Sequence, residues 1–289
     1  MEIKRIDDYI LHACLNEGGT AEVFFATNPQ EKAVALRRLR STYRFNLTKR
    51  VRFKRGMQTQ MQMHGPHVAH VLEIHTNKLI PYAVMEFIEG MNLRQVLVWR
   101  KRFLPDWTNA FVIFEKIAKG VGEIHRRGAM HLDIKPENTM INHAGEVKIL
   151  DFDLARPVPK QPVVLPSIVG TPSYLAPELL LSKPADERAD IFALGVFGYE
   201  LFTGQKPTAG QTREEVFRDY TAFNTAFPSL TGLNPALPKA LNEILLRCVE
   251  KKMEWRYPAV ALILRDLYKV KLPVSVPQPS PVSPTLFAL

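Results

Sequence analysis

The run His131-Leu132-Asp133-Ile134-Lys135-Pro136-Glu137-Asn138, followed 18 residues after Asp133 by Asp151-Phe152-Asp153, decides how the rest of the chain is read. Between the two clusters lie the short apolar runs Thr139 to Asn142 and Val147 to Leu150. They flank Asn142-His143-Ala144-Gly145, the pattern of a small hairpin. Both clusters flank that hairpin, so three oxygen ligands and one Lys can be aimed at one point. Asp133 suits a hydroxyl proton, Lys135 a phosphate, and Asn138 with Asp151 a magnesium ion. Phosphoryl transfer needs those four functions.

Working outward toward the N-terminus, residues 8 to 40 alternate short apolar runs with turn signals. Tyr9 to Leu15, Val23 to Ala26 and Ala33 to Leu36 are separated by Glu17-Gly18-Gly19-Thr20 and Asn28-Pro29, which predicts an antiparallel meander. Residues 48 to 63 are polar and basic and predict a helix ended by Gly65-Pro66, after which Val68 to Ile74 and Tyr82 to Phe87 resume the strand pattern. From Asn92 helical spacing takes over, in Leu93 to Trp99 and in Phe111, Ile113, Phe114, Ile117, Val121 and Ile124. Helices resume at about residue 174 and run to about 270, and the segment from Pro273 carries five prolines in seventeen residues, as a linker does. The expected fold class is α+β: a β-rich part over 1–85, a hinge at 86–91, a mainly helical part over 92–270 and a Pro-rich tail at 271–289. A small β lobe beside a larger helical lobe implies a cleft for a ligand.

On these residues the sequence resembles the eukaryotic-like Ser/Thr protein kinase family, over about residues 9 to 270. Gly170-Thr171-Pro172-Ser173-Tyr174-Leu175-Ala176-Pro177-Glu178 resembles the end of an activation segment, and Asp190-Ile191-Phe192-Ala193-Leu194-Gly195 the family's buried helix. The resemblance implies a bilobal kinase fold, ATP and Mg²⁺ as cofactors, and a protein substrate or partner. It implies catalytic roles for Asp133 and Lys135, metal ligation by Asn138 and Asp151, and a glycine-rich loop at Gly18 and Gly19 that brings backbone N–H groups to phosphate. Val23, Ala35 and Met140 would enclose an adenine, and Met85, Glu86 and Ile88 would belong to the hinge. Lys135 two residues after Asp133 is the Ser/Thr arrangement, so substrate hydroxyls are aliphatic. Glu178 is expected to pair with Arg256, and Asp190 to hold the backbone of the catalytic loop.

The sequence also departs from the family. Arg37 in Val34-Ala35-Leu36-Arg37 stands for the phosphate-pairing Lys, and Gly56 stands where its Glu partner is expected, so the usual ion pair cannot form. Arg is planar and bidentate and cannot place a point charge as Lys does. Asn16 and Ala21 replace the outer glycines of the loop. Leu132 replaces an Arg that clamps a phosphorylated activation loop, and Asp153 stands for a Gly. Two readings follow: a weak or atypical Ser/Thr kinase, and a pseudokinase that binds nucleotide or a partner. A small-molecule kinase, prompted by the two acids of residues 151–153, is disfavoured by the activation-segment pattern.

The chain has 289 residues, with 46% apolar and 23% charged, enough for a sizeable core and unlike a disordered or fibrous protein. Cys14 and Cys248 match no metal spacing and read as thiols of a reducing compartment, the cytoplasm, since Met1 to Asp8 lacks a signal-like apolar segment. The run Ile191 to Phe202, interrupted by Glu200, reads as a buried helix, and no membrane span is expected.

Net charge is +9, and Arg37 to Arg55 alone holds nine Lys/Arg and no acid. That patch reads as a solvated face or a surface for an acidic partner. Nucleic acid is not expected, although Tyr43, Phe45 and Phe53 could interleave with bases or equally pack under the helix. His64, His67, His70 and His75 lack the ligand set of a metal site, and His131 reads as a packed residue that orients its loop. Ser167, Thr171, Ser173 and Tyr174 are candidate modification sites whose hydroxyls could as well bond locally.

Overall fold

The computed structural model describes residues 4–99, 104, 107–165, 170–222 and 227–272. Ser167 and the tail from Pro273 lie outside the described residues. The chain divides into two units: Met1–His64 with Val68–Glu89 and Asp151–Asp153, and Gly65–His67 with Gly90–Leu150 and Leu154–Leu289.

The first unit is built on a six-stranded antiparallel sheet of β1 (Arg5–Ile6), β2 (Tyr9–Glu17), β3 (Ala21–Thr27), β4 (Ala33–Leu39), β5 (Val71–His75) and β6 (Tyr82–Glu86), in the order β1-β2-β3-β4-β6-β5. Two-residue alternation sorts its faces. Ala26, Val34, Leu36, Tyr82 and Val84 pack on one side with Tyr9 as an apolar core. The opposite side carries Val23 and Ala83, both paired in register with Arg37, and Met85, paired with Ala35. The helix α1 (Leu47–Met61) starts where the Asn46 side chain accepts the Lys49 N–H at 3.0 Å, an N-cap that the basic run hides. Its buried residues are Phe53, Gly56, Met57 and Gln60, spaced as one helical stripe.

The second unit is mainly helical. α2 (Leu93–Val98) opens on a capping box between Asn92 and Gln95, and α3 (Trp107–Arg126) buries most of its length. A three-stranded sheet of β7 (Gly90–Asn92), β9 (Thr139–Asn142) and β10 (Val147–Ile149) holds the expected hairpin, and β8 (Ala129–Met130) pairs with β11 (Arg156–Pro157). Then follow α4 (Pro177–Leu180), α5 (Arg188–Thr203), α6 (Arg213–Ala222), α7 (Leu230–Leu233), α8 (Lys239–Cys248) and α9 (Val260–Leu267). Every residue of α5 from Ala189 to Phe202 is buried, as expected of a helix that is apolar all round. Among the described residues no helix is long and apolar enough to cross a membrane.

Candidate active site

In the helical unit the loop between β8 and β9 gathers Asp133, Lys135 and Asn138. The Lys135 ammonium lies 2.8 Å from Asp133 Oδ2 and also donates to the Thr171 hydroxyl at 3.0 Å. Asn138 Nδ2 donates to Asp133 Oδ2 at 2.7 Å and to the Asp133 carbonyl at 2.9 Å. The Asp133 carboxylate is therefore oriented from two sides, and its loop is tied to the segment that carries Thr171.

That loop is held from below by Asp190, fully buried at the start of α5. Its carboxylate accepts the backbone N–H groups of His131 and Leu132, each at 2.7 Å, and contacts His125 Nε2 at 2.9 Å. Burial alone would raise the Asp190 pKa, but the His125 ring and the loop amides outweigh it and hold it below the ordinary value. Leu132 sits at φ 64°, a left-handed conformation uncommon for a branched side chain, and the Asp190 bond to its amide stabilises it. His131 is also fully buried. Its Nε2 faces the Leu150 carbonyl at 2.9 Å, so Nε2 carries the proton, and Nδ1 accepts the Asp133 amide at 3.2 Å. It orients the loop, as its packing suggested.

Glu178 and Arg256 form the expected pair, a buried fork of 2.7 and 2.6 Å. A second network was not legible in the sequence. Arg94, on α2, donates to Glu137 at 2.8 Å, to Glu200 at 2.6 Å and to the Tyr174 hydroxyl at 2.7 Å, while Tyr174 itself donates to Glu200. It ties the loop that holds Glu137 to Tyr174 and to α5. The Ser173 hydroxyl donates to the Gly210 carbonyl at 3.3 Å. The hydroxyls of Thr171, Ser173 and Tyr174 thus all serve local bonds. Met140 lies in β9, opposite Lys148.

In the β-rich unit, Gly18 and Gly19 form the turn between β2 and β3. The Gly18 carbonyl accepts from Arg40 at 3.1 Å, and a Cβ at Gly19 would meet nothing within 4 Å, which leaves this edge of the turn open to a ligand. Val23, Ala35, Arg37 and Met85 share the sheet face described above, and the Glu86 carboxylate accepts the His70 amide at 2.7 Å. Ile88 follows, half-buried.

Arg37 occupies the centre of this unit's polar corner. Its Nη2 lies 2.9 Å from Asp151 Oδ1 and its Nη1 2.8 Å from Asp153 Oδ1, while the guanidinium stands 5.4 Å from the Phe53 ring centre. Burial opposes the Arg37 charge, but the two carboxylates overcome it and raise its pKa above the ordinary value. Burial would likewise raise Asp153, yet the charge and hydrogen bonds of Arg37, joined by Thr20, hold it below the ordinary carboxylate range. Asp151 adopts φ 63°, whereas Asp153 is not among the positive-φ residues, so the Asp there needs no glycine-like backbone. Gly56 has a separate reason: a Cβ on it would lie 2.8 Å from the Phe152 carbonyl oxygen, so any side chain at 56 collides with backbone.

The basic run is largely spent internally. Arg37 binds the two acids, Arg38 binds Glu22 at 2.8 Å, Arg50 donates to the Leu79 carbonyl at 2.6 Å, and Arg55 donates to the Asp153 carbonyl at 3.3 Å. Phe53 is buried and Phe45 is 74% exposed, so the two cannot form one stacking surface. His67 faces the Val147 carbonyl and His75 faces Glu73, each in a local bond.

The donor chemistry suits a magnesium-bound nucleotide. Within the helical unit Asn138 offers a hard oxygen donor, Lys135 a cation and Asp133 a carboxylate; within the β-rich unit, taken by itself, Asp151 offers a carboxylate and Arg37 a cation.

Comparison with known proteins gives the same direction. Residues 9–267 match the protein kinase domain family. A probable serine/threonine-protein kinase of Clostridium perfringens is 30% identical over 265 residues, covering 91% of this chain and 38% of its own length. The serine/threonine-protein kinase PrkC of Bacillus subtilis is 30% identical over 257 residues, covering 88% and 39%. PknL of Mycobacterium tuberculosis, also a serine/threonine-protein kinase, is 27% identical over 272 residues, covering 93% and 67%. The chain spans well under half the length of the first two.

Proposed function

The chain belongs to the protein kinase domain family, and from that premise we propose that it transfers a phosphoryl group from Mg-ATP to a Ser or Thr hydroxyl of a protein. The observation that carries this reading is the hold of Lys135 and Asn138 on the Asp133 carboxylate. Two donors on that carboxylate serve a group that must accept a proton in a fixed direction. A protein that only binds nucleotide has no need of it.

In this reading Asp133 takes the proton of the substrate hydroxyl as the hydroxyl oxygen bonds to the γ-phosphorus and the bond from that phosphorus to the leaving ADP breaks. Lys135 keeps Asp133 oriented and offers its charge to the transferring phosphate, and Arg37 grips the nucleotide phosphates. Asn138 and Asp151 would hold the magnesium ion, which would supply neutralisation of phosphate charge when bound. The Gly18–Gly19 turn offers backbone N–H groups to phosphate, Val23, Ala35 and Met140 enclose the adenine, and Met85 to Ile88 serve as the hinge. Partners are protein substrates. The exposed bases Arg44 and Lys54 are the part of the basic run assigned to an acidic partner. Cys14 and Cys248 are free thiols, in keeping with a cytoplasmic site of action.

The test is incubation with ATP labelled at the terminal phosphate, followed by acid hydrolysis and separation of phosphoamino acids. Label in phosphoserine or phosphothreonine that disappears with Asp133→Ala is expected. Equal incorporation by both proteins rejects catalysis at this site, and a thermal shift with Mg-ATP but no transfer returns the chain to the nucleotide-binding scaffold reading.

A further inference from the structure

We infer that Asp153 is the positioning residue for Arg37, doing from the segment after the metal-binding acid what a carboxylate on helix α1 cannot do in this chain. The inference rests on the kinase reading above, because it concerns how Arg37 is presented to phosphate.

Three observations within the β-rich unit converge. The first is that α1 has no acid to offer. The residues it turns toward Arg37 are Phe53 and Met57, whose sulfur lies 3.8 Å from Nη1, and the next position, Gly56, is closed to any side chain by the Phe152 carbonyl. A Glu at 56 would need residues 152–153 to move. The second is the fork. A guanidinium can satisfy two carboxylates at once in fixed directions, whereas an ammonium is a point charge, so Arg rather than Lys suits a corner in which both acids come from one three-residue stretch.

The third is the difference between those acids. The side chain of Asp151 is 37% exposed and that of Asp153 is 12% exposed. Asp151 can therefore turn toward a metal ion, while Asp153 stays enclosed between Arg37 and the Thr20 hydroxyl. When Asp151 turns away, Arg37 and Asp153 remain as a neutral buried pair. The balance of one cation and two acids equals that of a Lys, its helix Glu and a metal-binding Asp, with one acid moved to a new address.

The same contacts tie α1 to this stretch without a charge pair, through the packing of Gly56 on residue 152 and the Arg55 bond to the Asp153 carbonyl. Swinging the helix therefore cannot switch Arg37 by withdrawing an acid from it.

A double-mutant cycle tests the assignment on the full chain, with Arg37→Met, Asp153→Asn and the pair. Each protein is melted first, and Asp153→Gly replaces Asp153→Asn if the latter does not fold. Single-turnover transfer from Mg-ATP and the equilibrium Kd for Mg-ATP are then measured. Asp153→Asn is expected to lower the transfer rate about 10²-fold, as misplacement of a phosphate-positioning group does, with a smaller change in KM. Adding it to Arg37→Met should lower the rate no further, a coupling of about 10²-fold. Multiplicative losses, or a wild-type rate in Asp153→Asn, overturn the inference while leaving the kinase reading intact. If the wild type binds Mg-ATP without transfer, the kinase reading fails, and the cycle is read in Kd: coupling of the same size upholds the pairing and independence overturns it. A wild type that neither binds nor transfers overturns both.

Discussion

The catalytic loop at 131–138 and the Arg37 corner solve one problem with different materials. Each must hold a charged side chain at a fixed point while part of its surroundings is exposed. The loop does it by a buried acid from a distant helix: Asp190 grips the His131 and Leu132 amides, and Lys135 and Asn138 then aim Asp133. The corner does it by two acids of one short stretch on a single guanidinium, over a floor of Phe53 and Met57. Where the loop departs from the family's residues only at Leu132, the corner differs at three positions, Arg37, Gly56 and Asp153. Such joint change is what packing requires, since the Phe152 carbonyl and a side chain at 56 cannot share one space.

The contrast can be broken at several points. The largest expected effect on stability is at the Glu178–Arg256 fork, where Glu178→Gln leaves the fully buried Arg256 charge without its partner. A loss of about 3–5 kcal/mol is expected from chemical denaturation. A loss under about 1 kcal/mol would show that the backbone carbonyls around Arg256 suffice. Next in size, Gly56→Ala should destabilise by about 1–3 kcal/mol, because its Cβ meets fixed backbone, whereas Gly19→Ala, in open space, should stay within about 0.5 kcal/mol. Equal melting temperatures for the two variants would remove the packing argument for Gly56.

Asp190 gives a pH signature. Its folded pKa lies below the unfolded value of about 3.9, so the folded state favours the charged form. Its contribution is therefore fully present above the unfolded value and is lost as pH falls through the folded one. Comparing wild type with Asp190→Asn, the stability difference should be flat from about pH 5 to 8 and shrink below about pH 4. A difference that instead changes near neutrality would contradict this assignment. The smallest effect is chemical: burial pushes the Cys248 thiol up to about 12, while Cys14 is exposed, so a thiol reagent at neutral pH should modify one cysteine of the native chain quickly, and that one is Cys14. Two fast thiols would show that α8 opens readily.

Much of this was legible in the residues themselves. Alternation between turn signals located β2, β3 and β4, and the hairpin of β9 and β10 followed from its Asn-His-Ala-Gly turn, because both patterns are local. The pairing of Glu178 with Arg256 and the grip of Asp190 on the loop followed from family resemblance and stand in the structure. What stayed hidden was contact across sequence distance. Asp153 is 116 residues from Arg37, and Arg94 is 106 from Glu200, and nothing in either neighbourhood marks its partner. The basic run shows the same: read as a string it is one patch, but Arg38, Arg50 and Arg55 each turn to an acid or a carbonyl of their own unit.

The most direct measurement is single-turnover transfer from Mg-ATP to a serine-containing peptide, comparing wild type with Asp133→Asn, which keeps the shape and removes the base. The account predicts a fall of about 10²- to 10⁴-fold with an unchanged melting temperature. Equal rates in the two folded proteins would contradict it.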